Sequence, residues 1–137
     1  MIRKANLNDA MGIFILDSTT FTDSLGLTFI NNDLRENSMA HYYVCELDNK
    51  IVGYIAAWIS DNTSILNFAV KEEYRNQGIG QQLFNALLND RVGLMTLEVR
   101  ESNLAAIRFY ERNGFCKELV RKNYYSNGEN AYLMVRR

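Results

Sequence analysis

A single carboxylate interrupts a mainly apolar segment in the second half of the chain. Residues 94–99 read LMTLEV, and Glu98 is the only ionisable side chain among them. Burying a carboxylate favours its neutral form, which suits a general base that works near neutral pH. The residues alone leave two hypotheses open: a base that takes a proton from an amine, or a buried ion pair with an arginine such as Arg100.

The following segment carries three candidate residues at helical spacing. Asn103, Ile107 and Tyr110 recur at i, i+4 and i+7, so they share one face of the helix expected over residues 102–115. Ser102 or Asn103 can cap the start of this helix. A tyrosine at such spacing is more often a core residue than a catalytic one, and the spacing leaves both roles open.

Two glycines stand where another helix is expected to begin. Residues 75–80 read RNQGIG and lead into the apolar helical run 80–88. The first turn of a helix has unpaired N–H groups and a partial positive charge. Because Gly78 and Gly80 have no Cβ, that backbone can approach a phosphate closely. A pyrophosphate is therefore the expected ligand, and a plain tight turn is the alternative.

Two common phosphate-binding motifs are excluded at this loop. A Rossmann fingerprint requires a third glycine at the position of Leu83. A P-loop requires Lys and then Ser or Thr after Gly80, where Gln81 and Gln82 stand.

The hydrophobic pattern predicts a mixed α/β fold. A crossover from strand through helix to strand implies at least one parallel pair in an otherwise mostly antiparallel sheet of six to seven strands, with helices on both faces. Residues 24–36 allow either a helix or a structured loop. The pattern predicts helices over 8–20, 80–88 and 102–115, and strands over 1–5, 40–47, 51–59, 64–70, 93–99, 116–125 and 130–137.

Composition limits the class of protein. The 137 residues fit one domain, and a net charge of −1 provides no basic field for nucleic acid. His41 is the only histidine, and Cys45 and Cys116 match no metal or redox spacing, so we expect no metal and two buried thiols. No apolar run reaches transmembrane length, so the expected location is cytoplasmic, without a membrane partner.

Three segments together resemble a known family. Arg75-x-x-Gly78-x-Gly80, after the strand LNFAV and before an apolar helix, resembles the acetyl-CoA loop of the GNAT superfamily of N-acetyltransferases. Residues 97–115 (LEVRESNLAAIRFYERNGF) and 120–135 (VRKNYYSNGENAYLMV) resemble the bacterial RimI-type ribosomal-protein alanine N-acetyltransferases. The resemblance implies a GNAT fold over residues 1–137 and acetyl-CoA as cosubstrate.

The resemblance also implies which residues hold acetyl-CoA. Backbone groups of Phe68, Ala69 and Val70 would pair with the pantetheine arm in a gap between two splayed strands, and Asn103 would hydrogen-bond the same arm. Main-chain groups of the loop would cradle the pyrophosphate: Asn76, Gln77, Gly78, Ile79, Gly80 and Gln81. Arg75 would add a phosphate contact, or it is only a solvated loop charge.

The implied chemistry is direct transfer in one ternary complex. By resemblance Glu98, through a water molecule, removes a proton from the substrate ammonium, and Tyr110 protonates the departing thiolate. A backbone N–H, expected at Val70, would stabilise the oxyanion. Tyr124 and Tyr125 would line the binding site of a peptide acceptor, or they are surface residues of a hairpin.

The acceptor remains open at this stage. Residues 21–34 (FTDSLGLTFINNDL) lack the proline and tryptophan usual in the RimI-type loop that recognises the target N-terminus. Three hypotheses follow: a protein N-terminal acetyltransferase, a small-amine acetyltransferase of the same fold, and a non-catalytic acetyl-CoA-binding module. A monomer or a homodimer is expected.

Overall fold

Seven strands and four α-helices account for most of the chain. The structure, a computed structural model, describes residues 1–137. Short 3₁₀ turns lie at Leu7–Asp9 and Glu72–Tyr74. The elements are β1 (Ile2–Lys4), α1 (Ala10–Thr20), α2 (Leu27–Glu36), β2 (Ala40–Leu47), β3 (Lys50–Ile59), β4 (Thr63–Val70), α3 (Ile79–Asp90), β5 (Met95–Arg100), α4 (Leu104–Arg112), β6 (Cys116–Arg121) and β7 (Ala131–Arg136).

All seven strands belong to one sheet, in the order β1-β2-β3-β4-β5-β7-β6. Every neighbouring pair is antiparallel except β4 and β5, which are parallel. This confirms the predicted mixed sheet with one parallel pair. Residues 24–36, which the pattern left open, contain α2, and β6 ends at Arg121, four residues before the predicted end of that strand.

Helices cover both faces of the sheet, as predicted. On one face α3 and α4 bury residues such as Leu83, Phe84 and Ile107 against the strands. On the other face α1 and α2 bury residues such as Ile13 and Ile30. At about 25 cal/mol per Å² of buried apolar surface, these two layers provide the main driving force for folding.

Strand β5 is covered differently from the prediction. Its apolar run suggested burial on both faces, but burial alternates along it: Met95, Leu97 and Val99 enter the core beneath α3 and α4. Since side chains alternate along a strand, Glu98 and Arg100 face the opposite side of the sheet. That side is open where β5 leaves β4.

Two buried aspartates fasten the α1–α2 layer to the sheet. Asp33 accepts hydrogen bonds from the Tyr42 hydroxyl at 2.6 Å and the Trp58 indole N–H at 2.8 Å. Asp17 accepts one from the Tyr54 hydroxyl. Burial, with these carboxylates beside the rings, raises the pKa of both tyrosines, so the hydroxyls remain donors.

The two cysteines differ from the expectation of two buried thiols. Cys45 is buried, as expected, but Cys116 is exposed. Cys116 begins β6, which forms one edge of the sheet, and all six residues of β6 are exposed. No group of His, Cys, Asp and Glu side chains is arranged to hold a metal ion. None of the four helices combines the length and the apolar character needed to cross a bilayer.

Candidate active site

Strands β4 and β5 separate after a short contact. They pair only at Thr63–Met95 and Ser64–Thr96, so a gap opens along the rest of both strands. At the end of β4 the N–H of Lys71 donates to the Val52 carbonyl of β3 at 2.7 Å. A gap of this kind between parallel strands leaves backbone donors and acceptors without a neighbouring strand.

Alternation along β4 decides which backbone groups face the gap. Because the N–H of Lys71 points to β3, those of Val70 and Phe68 point away from β3, toward β5. Ala69 pairs with Tyr54 of β3 and turns its backbone to that side. The expected backbone contribution of Ala69 is therefore not supported by this register, whereas those of Phe68 and Val70 fit it.

The glycine loop presents a row of free backbone donors. Asn76 and Gly78 both have positive φ, 62° and 83°, and Gly78 is the N-cap of α3. None of the N–H groups from Asn76 through Gln81 donates a hydrogen bond within the protein. Amides that converge at a helix N-terminus bind anions through their dipoles. The loop therefore fits a pyrophosphate.

Arg75 has a structural contact as well as a free charge. Its Nε donates to the Val70 carbonyl at 2.8 Å, at the end of the gap nearest the loop. The remaining guanidinium nitrogens make no hydrogen bond within the protein, and the residue lines the cavity described next. The predicted phosphate contact stays a prediction, and the position of Arg75 beside the free amides is compatible with it.

Two adjoining cavities occupy the gap and its surroundings. The first, of about 360 Å³, brings together six of the predicted site residues: Phe68, Arg75, Glu98, Asn103, Tyr110 and Tyr125. The second, of about 700 Å³, is lined by Tyr124 and by residues of the α1–α2 loop and of β4 and β5. Asp23, Ile65, Leu66, Asn67, Glu98 and Tyr125 line both cavities.

Glu98 is at the junction of the cavities, but it is not buried as predicted. Its side chain is 28% exposed, because the alternation of β5 turns it toward the open face. Its Oε2 accepts a hydrogen bond from Nε of Arg121 on β6 at 3.0 Å, and not from Arg100. The other oxygen, Oε1, accepts no hydrogen bond within the protein. Glu98 thus presents one free acceptor to the junction.

Tyr110 is buried among aromatic rings with its hydroxyl free. The residue is 8% exposed, and its ring centroid lies 5.4 Å from that of Phe115 and 6.3 Å from that of Phe68. Its hydroxyl makes no hydrogen bond in the protein, and the residue lines the smaller cavity. Burial raises the pKa of Tyr110, and nearby Tyr125 adds to the rise. The hydroxyl therefore keeps its proton throughout the physiological range, as a general acid requires.

Asn103 caps helix α4. Its Oδ1 accepts a hydrogen bond from the N–H of Ala106 at 3.2 Å, which satisfies one donor of the first turn. Its Nδ2 has no partner within the protein, and the residue lines the smaller cavity. The contact with the pantetheine arm stays a prediction, for which this amide nitrogen is the free donor. Ile107, grouped with Asn103 and Tyr110 by spacing, packs instead in the core.

The tyrosine pair forms part of the wider cavity. The rings of Tyr124 and Tyr125 meet edge to face with centroids 5.0 Å apart. Tyr124 is 49% exposed, while Tyr125 is partly buried and lies against the Arg100 guanidinium at 4.0 Å. Burial, and to a smaller extent the neighbouring Tyr124, raises the pKa of Tyr125 to about 12. Tyr125 lines both cavities and Tyr124 lines the wider one, and their predicted contact with an acceptor stays a prediction.

Arg100 is a site residue that the sequence patterns did not identify. Its guanidinium bonds Asp23 of the α1–α2 loop at 3.0 Å and Glu129 of the β6–β7 loop at 2.9 Å. Hydrogen bonding by Ser126, through its side chain first and its N–H second, and the charge of Arg100 lower the pKa of Asp23. Arg100 therefore ties together the two loops that flank the wider cavity. In the sequence, the only indication of this position was that Arg100 stands two residues after Glu98 and so shares its face of β5.

Comparison with known proteins identifies the family to which the chain is similar. The sequence profile of the acetyltransferase (GNAT) family matches residues 8–115. The N-alpha-acetyltransferase of Saccharolobus solfataricus is 35% identical over 98% of this chain and 91% of its own length. The [ribosomal protein bS18]-alanine N-acetyltransferase of Escherichia coli K12 is 32% identical over 85% of this chain and 76% of its own. The structure of Ard1 from Thermoplasma volcanium superposes with a TM-score of 0.87 at 32% identity, over 99% of this chain and 95% of that one.

Proposed function

The chain belongs to the acetyltransferase (GNAT) family and is an N-acetyltransferase, and from that premise we propose that its acceptor is the N-terminal α-amine of a protein. Acetyl-CoA, the donor that the family implies, supplies an acetyl group activated as a thioester. The six free amides of residues 76–81 and the free nitrogens of Arg75 would hold its phosphates. The outward backbone groups of Phe68 and Val70 would pair with its extended arm.

The observation that carries the proposal is the arrangement of charge around Glu98. A small polyamine requires a cluster of free carboxylates, but the two acidic residues that line both cavities are each paired with an arginine. Asp23 bonds Arg100 and Glu98 bonds Arg121. What remains is a wide cavity of about 700 Å³ with two tyrosine rings in its wall. Such a surface suits an extended peptide better than a polycation.

The chain's own groups then have distinct tasks. Glu98, through its free Oε1 and a water molecule, accepts a proton from the substrate ammonium, which leaves a neutral and nucleophilic amine. The N–H of Val70 faces the gap and donates to the carbonyl oxygen on which negative charge develops. The hydroxyl of Tyr110, which keeps its proton because it is buried, returns a proton to the departing sulfur. The amine nitrogen bonds to the thioester carbonyl carbon and the carbon–sulfur bond breaks, so the transfer is direct, and neither cysteine lines either cavity.

The proposal is tested with two panels of acceptors. Acetyl-CoA is offered with short peptides that differ in their first residue, beside a panel of polyamines, amino acids and aminoglycosides, and thiol release is followed. We expect acetylation of peptides with a free N-terminus. The matched control is the same peptide with its N-terminus blocked and one internal residue replaced by lysine. This control peptide should not react. Turnover with small amines alone would contradict the proposal, and binding of acetyl-CoA without turnover on any amine would favour a non-catalytic module.

A further inference from the structure

The junction of the two cavities holds one polar side chain with no role so far. The reacting amine and the thioester must meet there, since one cavity adjoins the glycine loop and the other the acceptor loops. Among the polar residues that line both cavities, Asp23 is engaged by Arg100 and by the Ser126 N–H. Asn67 of β4 remains, directly across the gap from the strand that carries Glu98.

The orientation of the Asn67 amide is determined by a buried carboxylate. Its Nδ2 donates to Oδ1 of Asp17 at 2.7 Å, and Asp17 is 0% exposed. Asp17 also receives the Tyr54 hydroxyl and, at 2.6 Å, the N–H of Leu25. Three donors thus converge on a group that, when ionised, only accepts hydrogen bonds. A flipped amide would place its oxygen against that carboxylate, so the flip is unfavourable.

The other end of the Asn67 amide is consequently a fixed acceptor. Its Oδ1 receives no hydrogen bond from any group of the protein, and it is not among the polar atoms that are sealed off from solvent. Because Asn67 lines both cavities, this oxygen is available at their junction. Glu98 also lines both cavities, and its Oε1 is likewise an acceptor oxygen without a hydrogen bond in the protein. Two residues that line the same junction and each keep a free acceptor oxygen suit a primary amine, which has N–H donors for both.

We infer that Asn67 binds the reacting amine through its Oδ1 and that Asp17 is a positioning residue which keeps this oxygen toward the junction. One N–H of the amine then points to Asn67 while Glu98 receives the departing proton. This inference deepens the proposed function and rests on it. It assigns amine recognition to β4, on the opposite side of the gap from the general base.

The test measures acceptor kinetics and donor affinity separately. In Asn67→Ala, kcat/KM for an alanine-initial peptide should fall about tenfold, the usual effect of losing one such hydrogen bond. The dissociation constant of acetyl-CoA, measured by calorimetry, should not change, because the donor is held by the loop and by backbone groups of Phe68 and Val70, not by the Asn67 side chain. Should this variant fail to fold, Asn67→Ser replaces it, since its hydroxyl is too short to span from Asp17 to the junction.

A matched pair of variants separates orientation from stability. Tyr54→Phe removes another partner of Asp17 but leaves the hydrogen bond from Asn67 Nδ2 to Asp17 in place, so it should lower the unfolding midpoint and leave kcat/KM unchanged. Asp17→Asn can donate to Asn67 and thereby favours the flipped amide, so it should lower kcat/KM as Asn67→Ala does. Equal losses of kcat/KM in Tyr54→Phe and Asn67→Ala would overturn the inference, because they would show a purely structural effect.

The outcomes also distinguish this inference from the proposed function. If the wild-type protein acetylates peptides and Asn67→Ala keeps its kcat/KM within about twofold, only the role of Asn67 is refuted. A parallel loss of acetyl-CoA affinity would refute it as well. If the wild-type protein acetylates no amine, the proposed function fails and this inference fails with it.

Discussion

Removing the Tyr110 hydroxyl should separate catalysis from stability. In the structure this hydroxyl makes no hydrogen bond, and the ring alone packs against Phe115 and Phe68. Tyr110→Phe therefore leaves the packing intact, and we expect the free energy of unfolding to change by less than about 0.5 kcal/mol. If Tyr110 is the general acid, kcat should fall about a hundredfold, within the range for loss of one positioned proton donor.

Tyr43 provides a control with the same chemistry. It is also a buried tyrosine, 7% exposed, whose hydroxyl has no hydrogen-bond partner, and it belongs to the same core as Tyr110. Unlike Tyr110 it lines neither cavity. Tyr43→Phe should therefore leave kcat unchanged and preserve or slightly raise stability, because an unpaired buried hydroxyl is lost.

The assay is steady-state thiol release at saturating acetyl-CoA and peptide, with urea unfolding of each variant. The pH dependence adds a further check. Because burial raises the pKa of Tyr110 above its ordinary value, the wild-type rate should show no loss from Tyr110 ionisation as pH rises through about 10, the ordinary value. A Tyr110→Phe enzyme with undiminished kcat, or equal losses in Tyr110→Phe and Tyr43→Phe, would refute the assignment of Tyr110 as the acid.

Three other perturbations have expected outcomes. Gly78→Ala introduces a Cβ at φ 83° and should weaken coenzyme A binding about tenfold in calorimetry. The control is Gly26→Ala, which is also at a helix N-cap, with φ 88°, and should leave coenzyme A binding unchanged. Arg100→Lys cannot bond both of its carboxylate partners, so KM for peptide should rise several-fold while the affinity for acetyl-CoA stays constant. The hydrogen bond from Arg3 lowers the pKa of Asp9. This pair therefore stabilises the fold above about pH 4, and its contribution is lost as pH falls further. In urea unfolding, Asp9→Asn should lose less stability on acidification than the wild-type protein does.

Local features were predictable from the sequence. The glycine loop and the start of α3 depend on residues adjacent in the chain, and the free amides from Gly78 to Gln81 follow from the helix N-terminus itself. The strands of the β2–β3 hairpin follow from alternation between two turns, and their predicted bounds differ from the observed ones by at most one residue. These elements need no tertiary contact to be identified.

The environment of Glu98 was not predictable in the same way. An apolar run suggested burial, but Thr96, Glu98 and Arg100 alternate with the core residues and share the open face. The partner of Glu98 is Arg121, which only the pairing of β6 with β7 and of β7 with β5 brings near. Such a contact depends on the order of strands in the sheet, which hydrophobic patterns do not determine.

Asn67 illustrates the same limit at the acceptor side. In the sequence it is the polar residue of the otherwise apolar segment ILNFAV, with no indication of a partner. Its partner Asp17 lies 50 residues away on α1, and the two meet because α1 packs on β4 and β3. The orientation of the amide is therefore a property of the folded layer, not of the segment LNFAV.

The central claim is that the free amides at the start of α3 bind the pyrophosphate of the donor. ¹⁵N–¹H NMR of the labelled protein, titrated with coenzyme A, tests it directly. The account predicts that the amide resonances of residues 76–81 move most and saturate together, while that of Leu27 at the start of α2 stays in place. The claim is contradicted if coenzyme A at millimolar concentration leaves the amide resonances of residues 76–81 unmoved.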